Sequence, residues 1–214
     1  MIIFILALFC LTATTLSARS LDFNNANNVA FMISIPLIGS ATFTEFGYTT
    51  VCGKIYFSVV LFGLALKHQI YGLTEARRSL NITVGALATI YGLIVILDYM
   101  TPSMQFLYTP RKMCASFMSL WLAQGMLFWL LERFRRFSPL WTIPAIIIVL
   151  QTMTTFLFFI GGFMGIVSNT KLIDYIIAGI AVKAMVAIMA IPFLAYALWA
   201  FKTSNRDSPS HRRS

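Results

Sequence analysis

Six stretches of this chain, near residues 29–46, 53–72, 81–100, 111–131, 140–163 and 173–200, are apolar over about the 20 residues that a helix needs to cross a bilayer core. In such a core the backbone finds no water, so the fold these runs permit is one in which helices satisfy their own N–H and C=O groups. Turn chemistry falls at the breaks. Gly47 and Gly53 flank the first, Gly72 closes the second run, Thr101-Pro102 and Thr109-Pro110 bracket the third loop, and Ser138-Pro139 ends the fourth run. The expected fold class is an all-α membrane protein: a six-helix transmembrane bundle over residues 29–200, built as one domain. Composition agrees, with 59% hydrophobic and 11% charged residues against roughly 25% charged in a soluble domain.

Residues 1–18 form an additional apolar run, read as a signal segment or an extra N-terminal helix. The run lacks a basic n-region, and Leu16-Ser17-Ala18 meets the small-residue cleavage pattern poorly, which favours a retained helix. The net charge of +9 does not point to nucleic acid, because the basic residues cluster in short loops and in the tail, residues 201–214. Arg77, Arg78, Arg133, Arg135, Arg136, Lys202, Arg206, Arg212 and Arg213 fall on one side by alternation, and Lys54, Arg111, Lys112 and Lys171 on the other. The more basic side is expected to be cytoplasmic, with the C-terminus.

Cys10, Cys52 and Cys114 have no metal-ligand spacing, so neither a metal nor a cofactor is expected, and a Cys52–Cys114 disulfide is a subordinate alternative. Nucleophile–base pairs and phosphate-cradling loops are also missing from the pattern, which argues against an enzyme. The partners expected are the lipid bilayer and a small-molecule substrate; a homo-oligomer is compatible with the sequence.

Within this apolar background, Lys183 sits at the centre of the run from Asp174 to Ala200. An ammonium at that depth costs roughly 2.5–3.5 kcal/mol on insertion scales, which makes it a functional-site candidate that needs a partner. Counting along the helices places Gln124, Gln151 and Lys183 on the order of 10–17 Å from their nearer helix ends, a common depth on three different helices. Amides offer donors and acceptors and the lysine offers donors, a set suited to a polar heterocycle. The competing reading is that the glutamines only bridge helices, an interaction worth about 0.6 kcal/mol. His68, Gln69 and Asp98 lie near helix ends, where polar groups reach the interface.

Gly53-Lys-Ile-Tyr-Phe57, then Gln69-Ile-Tyr71-Gly72 and Glu75-Ala76-Arg77-Arg78, resemble the second-helix signature of queuosine precursor transporters. The resemblance continues through Thr109-Pro110-Arg111, Ala115-Ser116, Ala123-Gln124, Gln151 with Phe156 to Phe158, Ala181-Val182-Lys183 and Pro192-Phe193. It implies a six-helix carrier of the inner (plasma) membrane that takes up a 7-deazaguanine base, with Gln124, Gln151 and Lys183, joined by Gln69 and Tyr71, as the substrate-binding set. Where the family pattern carries acidic residues, this chain has Ala65, Gln69, Leu127, Thr154 and Ala190. Two other classes are weighed beside it. One is a degenerate carrier acting as a scaffold; the other is a retinal photoreceptor, against which Gly179 stands where a counter-ion carboxylate would be expected.

Overall fold

The computed structural model describes residues 2–38, 42–45, 48–51, 53–100 and 110–206. Seven helices and one hairpin follow in chain order: α1 (Ile2–Ser17), α2 (Leu21–Ile38), β1 (Thr42–Glu45), β2 (Tyr48–Val51), α3 (Gly53–Tyr71), α4 (Leu73–Met100), α5 (Pro110–Arg133), α6 (Pro139–Phe163) and α7 (Asn169–Arg206). The expectations resting on Cys52, on residues 101–109, on residues 207–214 and on the Asp98 side chain lie outside the described residues.

Helix α3 is the axis of the molecule. It is apolar around most of its circumference, as a fully enclosed helix must be, and every residue from Lys54 to His68 is buried. All six other helices pack against it. Around this axis the remaining helices turn one stripe inward and one outward. Large apolar side chains such as Ile96, Trp121, Trp129, Val149 and Ile188 stay on the outer surface, where a contiguous apolar face marks contact with lipid.

Four helices among the described residues are long and apolar enough to cross a membrane: Leu73–Leu97, Arg111–Arg133, Pro139–Phe163 and Asn169–Phe201. These correspond to the last four expected runs. The first two differ. The run at 29–46 is not one helix, since α2 begins earlier, at Leu21, and stops at Ile38. Beyond it Thr42–Glu45 pairs antiparallel with Tyr48–Val51, in the register Thr42 to Val51 and Glu45 to Tyr48. The physical reason is in the residues: Gly39-Ser40 interrupts the run, and Thr42, Thr44, Thr49, Thr50 and Val51 are β-branched and suit a strand. The second run does form a helix, α3, but with Lys54 and Lys67 near its two ends it is shielded by neighbours rather than made apolar throughout.

Helix α1 packs on α2, α3 and α7 with Ala7, Cys10, Leu11 and Thr14 buried, while Phe4, Ile5 and Phe9 face outward. A polar seam fixes it there. Asn24 Nδ2 donates to Ser17 Oγ at 3.3 Å, Asn27 Nδ2 to Thr14 Oγ1 at 3.2 Å, and Asn28 Nδ2 to Asn24 Oδ1 at 3.2 Å. Lys67 extends the seam by donating to Asn25 Oδ1 and, at 2.7 Å, to Ser79 Oγ of α4.

The C-terminal ends of the odd-numbered helices meet on one face. Tyr71 Oη donates to the Ala18 carbonyl at 2.9 Å, Arg19 Nη2 to Tyr196 Oη at 2.9 Å, and His68 Nε2 lies 2.8 Å from Glu132 Oε1. Between α3 and α4 the chain reverses within one residue, Gly72, whose φ of 88° is a left-handed conformation that costs a residue with Cβ about 1 kcal/mol or more.

Candidate functional site

At the opposite end of the bundle from Gly72, α3, α5, α6 and α7, with Ile35 of α2, line a small, partly open cavity of about 60 Å³. Its apolar wall is Ile35, Phe57, Leu120, Phe158 and Phe159; its polar groups are Lys54, Ser116, Ser119, Thr154, Thr155 and Lys183. The volume holds a few water molecules. A flat heterocycle needs several times more, so its admission requires these helices to part.

Lys183 projects from α7 toward α6 and is 6% exposed. Its Nζ donates to Thr155 Oγ1 at 2.9 Å, to Thr154 Oγ1 at 3.2 Å and, more weakly, to the Gln151 carbonyl at 3.4 Å. Both threonine hydroxyls give their own protons to the Gln151 carbonyl, at 3.0 and 2.7 Å, which leaves their lone pairs for the ammonium. The Phe57 ring, with its centroid 5.2 Å away, covers another side as a cation–π partner. The partner demanded by a buried lysine is therefore a set of neutral acceptors; among the described residues it includes no carboxylate.

Gln151 is buried one turn below Thr155 on the same face of α6. Ser58 Oγ of α3 lies 2.9 Å from its Oε1 and 2.7 Å from the Lys54 carbonyl, and the single hydroxyl proton serves one of them at a time. Turning the amide over would let Nε2 donate to Ser58 while Ser58 donates to Lys54. In either orientation one polar end of Gln151 has no partner. Gln124 of α5 is 0% exposed, and neither Nε2 nor Oε1 has a hydrogen-bond partner. It sits one turn beyond Leu120 and two beyond Ser116, so it continues the cavity-facing stripe of α5 toward the other end. Leaving such groups unpaired costs roughly 1–3 kcal/mol each.

The five residues proposed from sequence thus separate. Gln151 and Lys183 are in direct contact, and Gln124 lies on the stripe below the cavity. Gln69 and Tyr71 are elsewhere: Gln69 is exposed, with Nε2 3.4 Å from His68 Nδ1, and Tyr71 is tied to Ala18. Twelve residues of α3 separate Phe57 from Gln69, about 18 Å along the axis. The structure adds a residue that alternation had treated as a surface charge, Lys54. Its Nζ lies inside the cavity, 5.0 Å from the Phe159 ring centroid, and passes within 3.0 Å of where a Cβ on Gly179 would stand. The signal was available in Gly179, a bare backbone position one helical turn before Lys183, which opens room for a second long side chain.

A protein-family model described as "Putative vitamin uptake transporter" matches residues 51–197, from β2 to near the end of α7. The chain belongs to that family. No curated protein and no solved structure matches it. The matched region contains the whole cavity wall except Ile35 of α2, together with three of the four long apolar helices and the fourth up to residue 197. A family described as uptake transporters and four helices long and apolar enough to cross a membrane together mark the chain as a membrane protein of a transporter family.

Proposed function

We propose that this protein is a carrier that takes up a queuosine precursor of the 7-deazaguanine type, or a similar small polar heterocycle, across the inner (plasma) membrane. The observation that carries the reading is the buried, unpaired amide of Gln124, aligned on α5 below a cavity that Lys183 borders and whose lysine reaches the Gln151 backbone carbonyl. Unpaired amide edges at membrane depth are destabilising unless a solute completes them, and a flat ring with in-plane donors and acceptors does so. In this reading the face holding Arg19, Arg77, Arg78 and Arg133 is cytoplasmic, together with the C-terminus. Residues 1–18 are a retained helix, residues 29–200 the carrier domain and 201–214 a basic tail.

The direct test uses cells that lack both their own importer and the synthesis route. Expression of this protein with the free base supplied restores queuosine in transfer RNA; absence of queuosine despite correct insertion would remove that substrate. A scaffold without transport predicts something different for Lys183→Met, namely unchanged behaviour, whereas a carrier loses uptake while still inserting. A retinal pigment is disfavoured by the same geometry, because Lys54 brings a second amine, not a counter-ion, to the space beside Gly179.

A further inference from the structure

We propose that the solute bound in this cavity is an anion, an aromatic heterocycle bearing a carboxylate, and that Lys54 and Lys183 together hold that carboxylate. The inference rests on the carrier reading and specifies the charge class of the cargo.

Three observations lead to it. The first is that two primary amines from different helices end in one cavity of about 60 Å³. Thr155 stands between them: its Oγ1 accepts from Lys183 at 2.9 Å, and its methyl carbon and Lys54 Nζ both lie 3.0 Å from the point where a Gly179 Cβ would be. The second is the absence of compensating charge. Of the carboxylates whose side chains are described, Asp22 and Glu75 lie in the first turns of α2 and α4, Glu132 is beside His68, and Asp174 is exposed. The lysine partners are hydroxyls, a carbonyl and aromatic rings. The third is that Lys54 Nζ has no hydrogen-bond acceptor among the described residues; a ring face is what it meets.

Two cations without an anion repel each other in a low-dielectric setting, and a buried charge is tolerated when paired. A carboxylate has two oxygens, so one group can accept from both ammoniums at once. The remaining walls suit the rest of such a molecule. Phe57, Phe158 and Phe159 supply aromatic surface to the cavity, and Ser116 and Ser119 of α5 bring hydroxyl groups to its lining. A neutral ring would leave the two ammoniums as unbalanced as before.

The test uses matched acid and neutral pairs with purified full-length protein in lipid nanodiscs: nicotinate against nicotinamide, and the 7-carboxylate of 7-deazaguanine against its 7-nitrile. For at least one pair the acid is expected to bind about tenfold or more tightly than its neutral partner, the scale of a charged hydrogen bond. Lys54→Gln is expected to erase most of that preference, and Lys54→Arg, which keeps the charge, to retain it. Equal or better binding of the neutral members, a preference unchanged in Lys54→Gln, or no binding of any member at millimolar concentration by folded protein would overturn the proposal. Uptake into proteoliposomes separates it from the carrier reading. If the nitrile is carried and the acid neither binds nor competes, the anion inference fails and the carrier stands. If the acid binds in a Lys54-dependent way but nothing is carried, the anion site stands and the carrier reading fails.

Discussion

Thr155 is the residue on which the geometry of Lys183 turns. Its proton is committed to the Gln151 carbonyl at 2.7 Å and its lone pair to the ammonium at 2.9 Å, so it acts as an oriented acceptor inside the bundle. Thr155→Val keeps the shape and deletes the oxygen. Because a buried charged donor then loses an acceptor, unfolding stability is expected to fall by about 1–3 kcal/mol, with uptake reduced more than tenfold; thermal unfolding and proteoliposome uptake measure the two. Gln124 gives the opposite sign. Its amide has no partner in the resting protein, so Gln124→Leu is expected to leave stability unchanged or raise it by about 1 kcal/mol while abolishing uptake. A stability loss together with normal uptake would mean that Gln124 is a packing residue. At Gly72 the backbone itself decides: with φ at 88° and no atom within 4 Å of an added Cβ, Gly72→Ala is expected to cost about 1 kcal/mol through conformation alone.

Among the elements, α1 and α2 show how polar pairing substitutes for apolarity. Asn24 and Asn28 are four residues apart and share one face of α2, and Lys67 reaches Asn25 and Ser79 from the central helix. Lys67→Met is therefore expected to weaken the α2–α3–α4 contact, costing about 1–3 kcal/mol in thermal unfolding and leaving the Lys183 cavity at the other end intact for ligand binding. This seam also explains what could be read in the sequence and what could not. The four long apolar runs were legible because bilayer length and composition fix them independently of their neighbours. The start of α2 was not, because a stretch with four asparagines reads as a loop until α1 and α3 supply its partners. The hairpin at 42–51 was hidden by its apolar surroundings, although its β-branched residues carried the signal. In the site, depth set Lys183 and Gln151 at one level, but the lysine meets the Gln151 backbone carbonyl and the Thr154 and Thr155 hydroxyls instead of the amide. Lys54 was not legible, because a lysine next to a helix start counts as a loop charge unless the space beside Gly179 is recognised. Gln69 and Tyr71 entered by motif, and motif adjacency along α3 does not place side chains at one depth.

For the whole molecule, the small cavity implies movement of helices against an immobile centre. Helix α3 has no lipid-facing side from Lys54 to His68, so displacing it would disturb six neighbours at once, whereas α5, α6 and α7 each keep an outer face. Prolines inside α6 and α7, Pro144 and Pro192, interrupt the helical hydrogen-bond ladder and supply places to bend. The close approach of α5 to α6 at Gly161, where an added Cβ would stand 3.2 Å from Ala115 Cβ, offers a way to test this. A cysteine pair, Ala115→Cys with Gly161→Cys, is near disulfide distance. Oxidation is expected to stop uptake and a reductant to restore it, monitored by uptake and gel mobility; uptake that persists in the cross-linked protein would place the moving boundary elsewhere.

The volume of that cavity also bears on how affinity will look in any binding experiment. If the resting form is closed to the solute, each molecule bound must first find the minority of protein that is open. The observed dissociation constant is then the intrinsic one divided by the open fraction, so an open population of about 1% makes a site look about a hundredfold weaker than its chemistry. Loosening the α5–α6 contact, for instance by Ala115→Gly beside Gly161, would raise apparent affinity without touching a single group that meets the solute.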